Sequence, residues 1–236
     1  MRDVSSQVPK HIGIVLDGNR RFSKRLMMKP WKGHEWGAEK VAELLTWADE
    51  LNVEELTLYA FSIENFNRPK EEFEYLMKLF IKEFKKSATD ERIHKNQIRI
   101  NFIGRLNLFP KDVQDSMQEL MSVTKKYSRR RVNFAMAYGG RTEVVDAARK
   151  IAEQVKEGKI DVDQINEEIF KNNLYMPSEP DLIIRTGGEQ RTSNFLLYQG
   201  AYSEWIFLQK MWPEFTKEDF TECIAEYGRR ERRFGR

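Results

Sequence analysis

The 236 residues include 40 lysines and arginines against 37 aspartates and glutamates, and 40% of the chain is apolar. This composition is typical of a globular protein and argues against a disordered chain. A net charge of +3 is too small to indicate a nucleic-acid-binding protein by itself. The length fits one domain with a core large enough to need no disulfide or structural metal.

In chain order, short apolar runs alternate with stretches of helical periodicity. The apolar runs predict strands at residues 12–16, 56–61, 98–103, 132–138, 182–184 and 205–208. The helical spacing predicts helices at residues 35–51, 71–86, 111–127, 142–156, 165–172 and 217–227. Because strands that alternate with helices favour right-handed crossovers, we predict one α/β domain over residues 1–236. Its sheet is a mostly parallel, six-stranded open sheet flanked by helices, with too few strands for an eight-stranded barrel.

Cysteine usage and hydropathy bear on the compartment. Cys223 is the single cysteine, which predicts a buried free thiol in a reducing environment. Residues 1–10 are short and polar and lack the apolar centre of a signal peptide. No apolar run approaches the roughly 20 residues that span a bilayer. These features predict a cytoplasmic protein.

Four of the predicted strands end in loops that contain arginine. These loops are residues 17–21, 62–68, 138–141 and 185–188. Ligands of open parallel sheets bind beyond the carboxyl ends of the strands. The arginine guanidinium matches phosphate oxygens, and nearby glycines let backbone N–H groups approach the same anion. One such arginine is more often part of a surface ion pair, but four loops on one sheet edge indicate a site for one or more diphosphates.

The glycine pairs do not belong to a nucleotide-binding motif, since the chain has neither a Walker A sequence nor Gly-x-Gly-x-x-Gly after a strand. Asp17 follows a buried strand, where a carboxylate can hold Mg²⁺ against a diphosphate or simply initiate a turn. Glu204 is a candidate second ligand. His34 follows Gly33 at a predicted helix start and is a ligand-contacting or a packing histidine. The three histidines and Cys223 form no zinc spacing.

Taken in order, these motifs closely resemble the cis-prenyltransferase family of the undecaprenyl diphosphate synthase type. The resemblance covers residues 11–235, nearly the whole chain. Any one matching segment is weak, but all of them in one order are highly specific. The segments are residues 11–22, 33–34, 57–69, 138–141, 181–195, 204, 212–213 and 229–235.

The resemblance implies an enzyme that condenses isopentenyl diphosphate with an allylic prenyl diphosphate, either farnesyl or geranylgeranyl diphosphate. The product is then a cis-polyprenyl diphosphate, the precursor of a glycosyl carrier lipid. The resemblance implies Mg²⁺ as cofactor, with Asp17 and Glu204 as ligands, and it makes Asp17 and Asn65 the catalytic residues. The implied substrate-binding residues are Gly18, Asn19, Arg20, Arg21, Phe22, His34, Ser62, Ile63, Glu64, Phe66, Arg68, Arg185, Arg191, Thr192 and Ser193.

Within this set, the resemblance divides the two diphosphates. Residues 18–21 hold the allylic diphosphate, and Arg185, Arg191 and Ser193 hold that of isopentenyl diphosphate. Asn65 is implicated in proton removal. The ending 233–235 resembles a tail that reaches the substrate of a partner subunit, which implies a homodimer.

The sequence also departs from the bacterial pattern. Arg20 stands where glycine is usual, and Phe22 and Phe66 stand where tryptophan is usual. Pro30 replaces an arginine that often precedes the Gly-His pair. These departures favour an archaeal-like variant and leave the allylic starter and the product length open.

A growing prenyl chain needs an apolar tunnel, and one helix offers a matching stripe. Its residues are Phe73, Leu76, Met77, Phe80, Ile81 and Phe84, which as a plain pattern equally fit a core face. Each isoprene unit adds five carbons, about 4 kcal/mol of transfer free energy at ~0.8 kcal/mol per methylene. We therefore expect peripheral contact with a membrane during product release.

Three other interpretations remain. The basic runs 129–131 and 229–236 suggest a nucleic-acid module, but the acidic residues offset them and no stacking platform accompanies them, so no nucleic-acid partner is expected. A subunit of a heteromeric prenyltransferase typically lacks the aspartate and much of the diphosphate site, whereas this chain has both. An enzyme of the same fold that makes a short or atypical condensation product is the third interpretation.

Overall fold

The computed structural model describes residues 8–230. Six strands form one sheet: β1 (His11–Val15), β2 (Glu55–Ser62), β3 (Ile98–Ile103), β4 (Arg130–Tyr138), β5 (Leu182–Arg185) and β6 (Glu204–Phe207). Their spatial order is β3-β4-β2-β1-β5-β6, and every neighbouring pair is parallel. The predicted open six-stranded sheet is confirmed.

Eight α-helices accompany the sheet in this part of the chain. They are α1 (Asn19–Arg25), α2 (Gly33–Glu50), α3 (Lys70–Ala88), α4 (Glu91–Lys95), α5 (Lys111–Thr124), α6 (Gly140–Lys156), α7 (Glu167–Asn173) and α8 (Lys217–Arg229). Short 3-10 turns occur at Pro30–Lys32, Ile63–Asn67, Leu106–Leu108, Val162–Gln164 and Trp212–Glu214. The six predicted helices are present with ends shifted by a few residues, whereas α1 and α4 were not predicted because each is a single polar stretch of seven residues or fewer.

Strand residues alternate between two apolar layers. Ile12 and Ile14 join the larger core, which buries residues of α2, α3, α5 and α8, while Val15 joins a smaller cluster on the other face. Cys223 lies in the larger core as a buried free thiol, and burial raises its pKa to about 12. This confirms the predicted burial of the lone cysteine. No helix within residues 8–230 is long and apolar enough to cross a membrane.

The register brings the carboxyl ends of the central strands to one edge. Val15 pairs with Tyr59 on β2 and with Arg185 on β5, and Ser62 pairs with Tyr138 on β4. The loops that follow β1, β2, β4 and β5 therefore share this edge, as their sequences indicated.

The starts of α1 and α2 pack in backbone contact at this edge. A Cβ on Gly33 would lie 1.9 Å from the carbonyl oxygen of Asn19, so only glycine allows this approach. The contact positions His34, the second residue of α2, against the start of α1.

We expect Gly33→Ala to destabilise the fold by about 1–3 kcal/mol, because an added methyl would force the two helix starts apart. Urea denaturation with a fixed slope measures this loss. The control is Gly158→Asn, because a Cβ on Gly158 would meet no atom within 4 Å and asparagine tolerates the positive φ of 67° at that position. Equal midpoints for the two variants would contradict the packing argument.

Candidate active site

The backbone of Asp17 is fixed at the centre of the sheet edge. Its carbonyl oxygen accepts hydrogen bonds from the Thr186 hydroxyl at 2.8 Å and from the Trp212 N–H at 2.9 Å. Asp17 is thus tied to the end of β5 and to the turn before α8. Its carboxylate points away from these contacts and is free to pair with cations.

That carboxylate holds two arginines. Arg185 Nη2 lies 2.9 Å from Asp17 Oδ2, and Arg21 Nη2 lies 3.1 Å from Oδ1. The Arg185 side chain is only 4% exposed, so its charge needs this carboxylate. Arg185 Nη1 also donates to the Ser193 hydroxyl at 2.7 Å and to the Arg191 carbonyl. Arg185 therefore connects Asp17 with the 191–193 loop, and its Nε is a buried donor without a partner among the described residues.

A second carboxylate, Glu189, lies between two exposed arginines. Arg191 Nη1 is 2.6 Å from Glu189 Oε2, and Arg21 Nη1 is 3.4 Å from Oε1. All three side chains are at least 36% exposed, and ion pairs of this kind contribute little stability. A diphosphate can therefore replace Glu189 as the partner of Arg21 and Arg191 at small cost.

The backbone beside these arginines is tightly constrained. Gly187 has a φ of +89°, and a Cβ there would lie 2.6 Å from Arg21 Nη2. Ser193, Asn194 and Leu196 also adopt positive φ values of 49°, 64° and 43°. Such strain in non-glycine residues clusters at functional sites, where surrounding contacts hold it.

Asn194 supplies one of those contacts by joining the third arginine-bearing loop to the site. Its side-chain oxygen accepts from Arg141 N at 2.8 Å, and its carbonyl accepts from Gly140 N at 2.7 Å. The loop after β4 is therefore docked on the loop after β5.

On the other side of Asp17, a buried carboxylate organises the remaining cations. Glu72 is 1% exposed and lies 2.7 Å from Arg68 Nη1 and 3.5 Å from Arg20 Nε. Arg68 Nη1 also lies 3.2 Å from His34 Nε2. Since arginine only donates, His34 Nε2 accepts and the imidazole proton is on Nδ1.

His34 is held in its neutral form. Burial lowers its pKa from 6.5 to about 3, and the positive charges of Arg68 and Arg20 act in the same direction. A neutral imidazole contacts the cleft without adding charge to it.

The cleft formed by these residues has a volume of about 310 Å³. It is lined by Leu16, Asp17, Gly18, Asn19, Arg20, Arg21, Lys24, His34 and Arg68. A cleft with four cationic side chains and only one carboxylate, which is itself paired with arginines, suits a diphosphate. Lys24 was not predicted, although its spacing of three and four residues from Arg21 and Arg20 would have placed it beside them once α1 was recognised.

An apolar cavity of about 120 Å³ begins where the cleft ends, because Leu16, Asn19 and His34 line both. From α2 it is lined by Gly37, Ala38, Val41, Ala42 and Leu45. Of the predicted stripe on α3, only Phe80 and Phe84 line the cavity. Leu76 and Met77 are buried in the core, and Phe73 and Ile81 pack against it.

Asn65 and Phe66 lie in the turn after β2, where both make contacts within the protein. Asn65 Oδ1 accepts a hydrogen bond from Ser62 N at 3.0 Å, so Asn65 closes the 3-10 turn that begins at Ile63. The Phe66 ring packs on Phe61 and Phe109 at centroid distances of 5.1 and 5.3 Å.

Four other predicted residues lie outside the cleft lining. Phe22 packs edge-on against Trp36 of α2 at 5.4 Å. Thr192 and Glu64 are exposed. Ile63 is partly exposed beside Gly139.

The structure does not bring Glu204 to Asp17 within one chain. Glu204 is the first residue of β6 and pairs with Leu182, whereas Arg185 pairs with Phe207 at the other end of the strand. Three residues of strand separate these ends by about 10 Å. Glu204 Oε2 instead lies 2.7 Å from Arg230 Nη1. The ending 233–235 lies outside the described residues.

The cleft and the adjoining cavity together fit a molecule with an anionic head and an apolar tail. Residues 15–235 match the prenyltransferase family model described as "Putative undecaprenyl diphosphate synthase". The chain belongs to this undecaprenyl diphosphate synthase family of prenyltransferases, which confirms the resemblance seen in the sequence.

Several relatives carry the name tritrans,polycis-undecaprenyl-diphosphate synthase (geranylgeranyl-diphosphate specific). The protein from Thermococcus kodakarensis is 50% identical over 98% of this chain and 89% of its own length. The protein from Methanocaldococcus jannaschii is 48% identical over 97% of this chain and 83% of its own length.

Two solved structures share the fold. Lavandulyl diphosphate synthase from Lavandula x intermedia, in complex with dimethylallyl diphosphate, is 34% identical with a TM-score of 0.93, covering 98% of this chain and 100% of that one. A probable undecaprenyl diphosphate synthase from Campylobacter jejuni is 33% identical with a TM-score of 0.80, covering 97% and 99%.

The depressed pKa of His34 predicts a pH-dependent contribution to stability. An unfolded histidine titrates near 6.5, so between pH 6.5 and about 3 the unfolded chain binds a proton that the folded chain does not. Stability is therefore lost as pH falls through this window. We expect His34→Gln to lose about 2 kcal/mol less than the unmodified protein between pH 6.5 and 4.5. Urea denaturation at each pH measures this, and parallel losses in the two proteins would contradict it.

Proposed function

We propose that the chain, as a single catalytic domain over residues 1–236, elongates geranylgeranyl diphosphate with isopentenyl diphosphate to a cis-polyprenyl diphosphate. The observation that carries this proposal is the continuity of the arginine-lined cleft with the apolar cavity through Leu16, Asn19 and His34. A prenyl diphosphate has an anionic head and an apolar tail in the same order. The names of the archaeal relatives at about 50% identity support the starter.

The allylic diphosphate occupies the cleft in this proposal. Arg20, Arg21, Lys24 and Arg68 line it and bind the phosphate oxygens, and Gly18 and Asn19 lie at the start of α1, whose first N–H groups have no intrahelical partner. As the allylic carbon–oxygen bond breaks, negative charge grows on the leaving diphosphate. Cationic side chains fixed beforehand by Glu72 and Asp17 stabilise that charge without reorganising.

Isopentenyl diphosphate binds on the other side of Asp17. Arg191 exchanges Glu189 for its diphosphate, and Ser193 and Arg185 position the loop that carries Arg191. This arrangement directs the double bond of isopentenyl diphosphate at the allylic cation. Asn65 holds the turn beside the reacting carbons, since its amide oxygen is engaged with Ser62 N and an amide is not a base.

The donor set at Asp17 fits Mg²⁺. Among residues 8–230 no three histidine, cysteine or acidic side chains form a metal cluster, so a metal here would be shared with phosphate oxygens and water, as Mg²⁺ prefers. Asp17 would hold it through Oδ1, which carries only the 3.1 Å contact with Arg21. Bound Mg²⁺ supplies a Lewis acid that neutralises the leaving diphosphate.

Two further features belong to the proposal. The enzyme acts as a homodimer in the cytoplasm, in line with the buried thiol of Cys223 and with a tail motif that lies outside the described residues. Sedimentation of the purified chain tests the dimer.

A single short condensation is the second candidate function. The fold similarity to the lavender enzyme favours it, although that enzyme's 34% identity is well below the 50% shared with the archaeal relatives.

Product analysis by mass spectrometry tests the function directly. With Mg²⁺, isopentenyl diphosphate and starters of several lengths, we expect polyprenyl diphosphates of many units, formed fastest from geranylgeranyl diphosphate. A single added unit would support the short-chain alternative. No elongation by the chain alone, but elongation with a second protein, would overturn the homodimer.

Two substitutions separate leaving-group chemistry from substrate binding. Asp17→Asn retains an acceptor for Arg185 but loses the charge that holds Mg²⁺ and balances Arg185, so we expect kcat to fall by about 10²–10³-fold and the melting temperature to fall as well. Arg191→Ala removes a charge-assisted contact worth about 1.5–3 kcal/mol, so we expect KM for isopentenyl diphosphate to rise roughly 10–100-fold with kcat little changed.

Arg149→Ala, on the outer surface of α6, is the matched control for the loss of an exposed arginine. Steady-state kinetics with each substrate varied in turn distinguish the cases. An unchanged kcat in Asp17→Asn, or an unchanged KM in Arg191→Ala, would remove the role proposed for that residue.

A further inference from the structure

Three exposed apolar residues form a tip between α1 and the following 3-10 turn. Leu26, Met27 and Met28 are 46%, 97% and 40% exposed. Met27 has a φ of 55°, a left-handed conformation at the apex of the tip. Single exposed apolar residues are ordinary, but three consecutive ones at a projecting turn mark an interaction surface.

The tip is held in a fixed shape by the protein. Met28 N donates to the Ser23 carbonyl at 2.9 Å, and the Ser23 hydroxyl, which is fully buried, donates to the Pro30 carbonyl at 2.7 Å. These bonds close the turn at its base. The closed turn therefore holds the three apolar side chains on the outside of the protein.

Positively charged residues flank the tip on both sides in the sequence. Residues 18–34 contain lysines and arginines but no acidic residue. Arg25 and Lys32 form ion pairs with Glu214 and Glu35 outside this segment. No carboxylate among residues 8–230 lies within ion-pair distance of Lys24 or Lys29, the two lysines that flank the tip. Lys29 instead lies over the Trp31 ring, 5.1 Å from its centroid.

The tip adjoins the mouth of the candidate active site. Lys24, two residues before Leu26, lines the polar cleft. The same helix, α1, carries Arg20 and Arg21 into the cleft. A molecule whose charged head lies in the cleft and whose tail is apolar has its head next to this tip.

We propose that residues 26–32 dock on an anionic lipid bilayer, with Leu26, Met27 and Met28 inserted at the level of the headgroups and Lys29 contacting lipid phosphates. An apolar segment with flanking lysines and a nearby tryptophan has the chemistry of an interfacial anchor. The docking rests on the proposed function only in one respect: the product would be a lipid, and docking would place that lipid beside the membrane.

Charge favours a bilayer over the other occupants. A two-fold contact between copies of the chain through this tip would bring the lysines and arginines of both copies together, and their charges would repel. Nucleic acid would engage the lysines but leave the apolar tip in water. An anionic membrane takes up the apolar tip among its headgroups and pairs with the flanking lysines.

The test is co-sedimentation of the full chain, without substrate, with vesicles of neutral phosphatidylcholine or of the same lipid containing about one-third phosphatidylglycerol. We expect binding to the anionic vesicles, weakened at least roughly tenfold in Leu26→Ser/Met27→Ser/Met28→Ser. Lys29→Glu should weaken it by roughly tenfold or more, since each basic residue near the surface contributes about fivefold.

The matched controls change equally exposed residues elsewhere. Leu108→Ser/Val162→Ser/Ile165→Ser removes three apolar side chains that are 46%, 66% and 40% exposed, and Lys126→Glu reverses an exposed charge on the segment after α5. These controls should bind vesicles like the unmodified chain. Equal binding by the tip variant and its control, or no preference for anionic vesicles, would overturn the proposal.

Two further outcomes discriminate the alternatives. If the tip variant changes the sedimentation coefficient of the protein and leaves vesicle binding intact, the tip contacts a second copy and the proposal is wrong. Because vesicle binding is measured without substrate, its result does not depend on whether the chain catalyses elongation. Elongation in detergent by the tip variant at the unmodified rate would support a role in docking rather than in folding.

Discussion

The ion pair between Asp17 and the buried Arg185 is the contact on which the site depends. Removing the carboxylate leaves an uncompensated buried charge on Arg185, which costs up to about 3–5 kcal/mol. The register of β1 and β5 fixes the pair, since Val15 and Arg185 are neighbours across the sheet. Through Arg185 the sheet positions the 191–193 loop, and through Asp17 it positions Arg21. One interaction at the sheet centre thus orders both halves of the site.

The arginines of the site differ in how firmly they are held. Arg68 is paired with a carboxylate that is 1% exposed, so its position is set before any ligand arrives. Arg191 is 62% exposed and paired with an exposed carboxylate that an incoming anion can displace. Under the proposed function, the allylic side is preorganised and the isopentenyl side is exchangeable. This division suits an enzyme that keeps one growing chain in place while it takes up a new small substrate at every turn.

The sequence predicted the sheet and the common edge of the loops that contain arginine because both rest on local signals. Apolar runs such as residues 98–103 identified strands whose bounds the structure reproduces. Parallel strands share one edge, so loops that contain arginine could be placed together before any contact was known. Short polar segments carry no such periodicity, which is why α1 and its Lys24 went unrecognised. The buried Glu72 was also missed, because nothing in a helix of alternating charge marks one glutamate as paired with two arginines.

Irregular backbone explains other differences. The β2–β4 register shifts between Tyr59 and Phe61, so Ala60 and Phe61 both face the larger core instead of alternating. Strict alternation places Phe61 on the opposite face, and no residue in this strand signals the bulge. The separation of Glu204 from Asp17 has a different origin. Glu204 begins a strand and Asp17 follows one, so in a parallel sheet the two residues lie at opposite ends of their strands.

The apolar cavity sets a physical constraint on elongation. An engineered cavity of roughly 150 Å³ holds a benzene ring, so the present volume of about 120 Å³ holds about one isoprene unit. A longer chain must part α2 from α3 as it grows. Few packing contacts between α2 and α3 must break, because Gly37, Ala38 and Ala42 of α2 have small side chains. Each added unit contributes about 4 kcal/mol of transfer free energy from water, which offsets that separation. Growth of the product is thus able to open the space that it occupies.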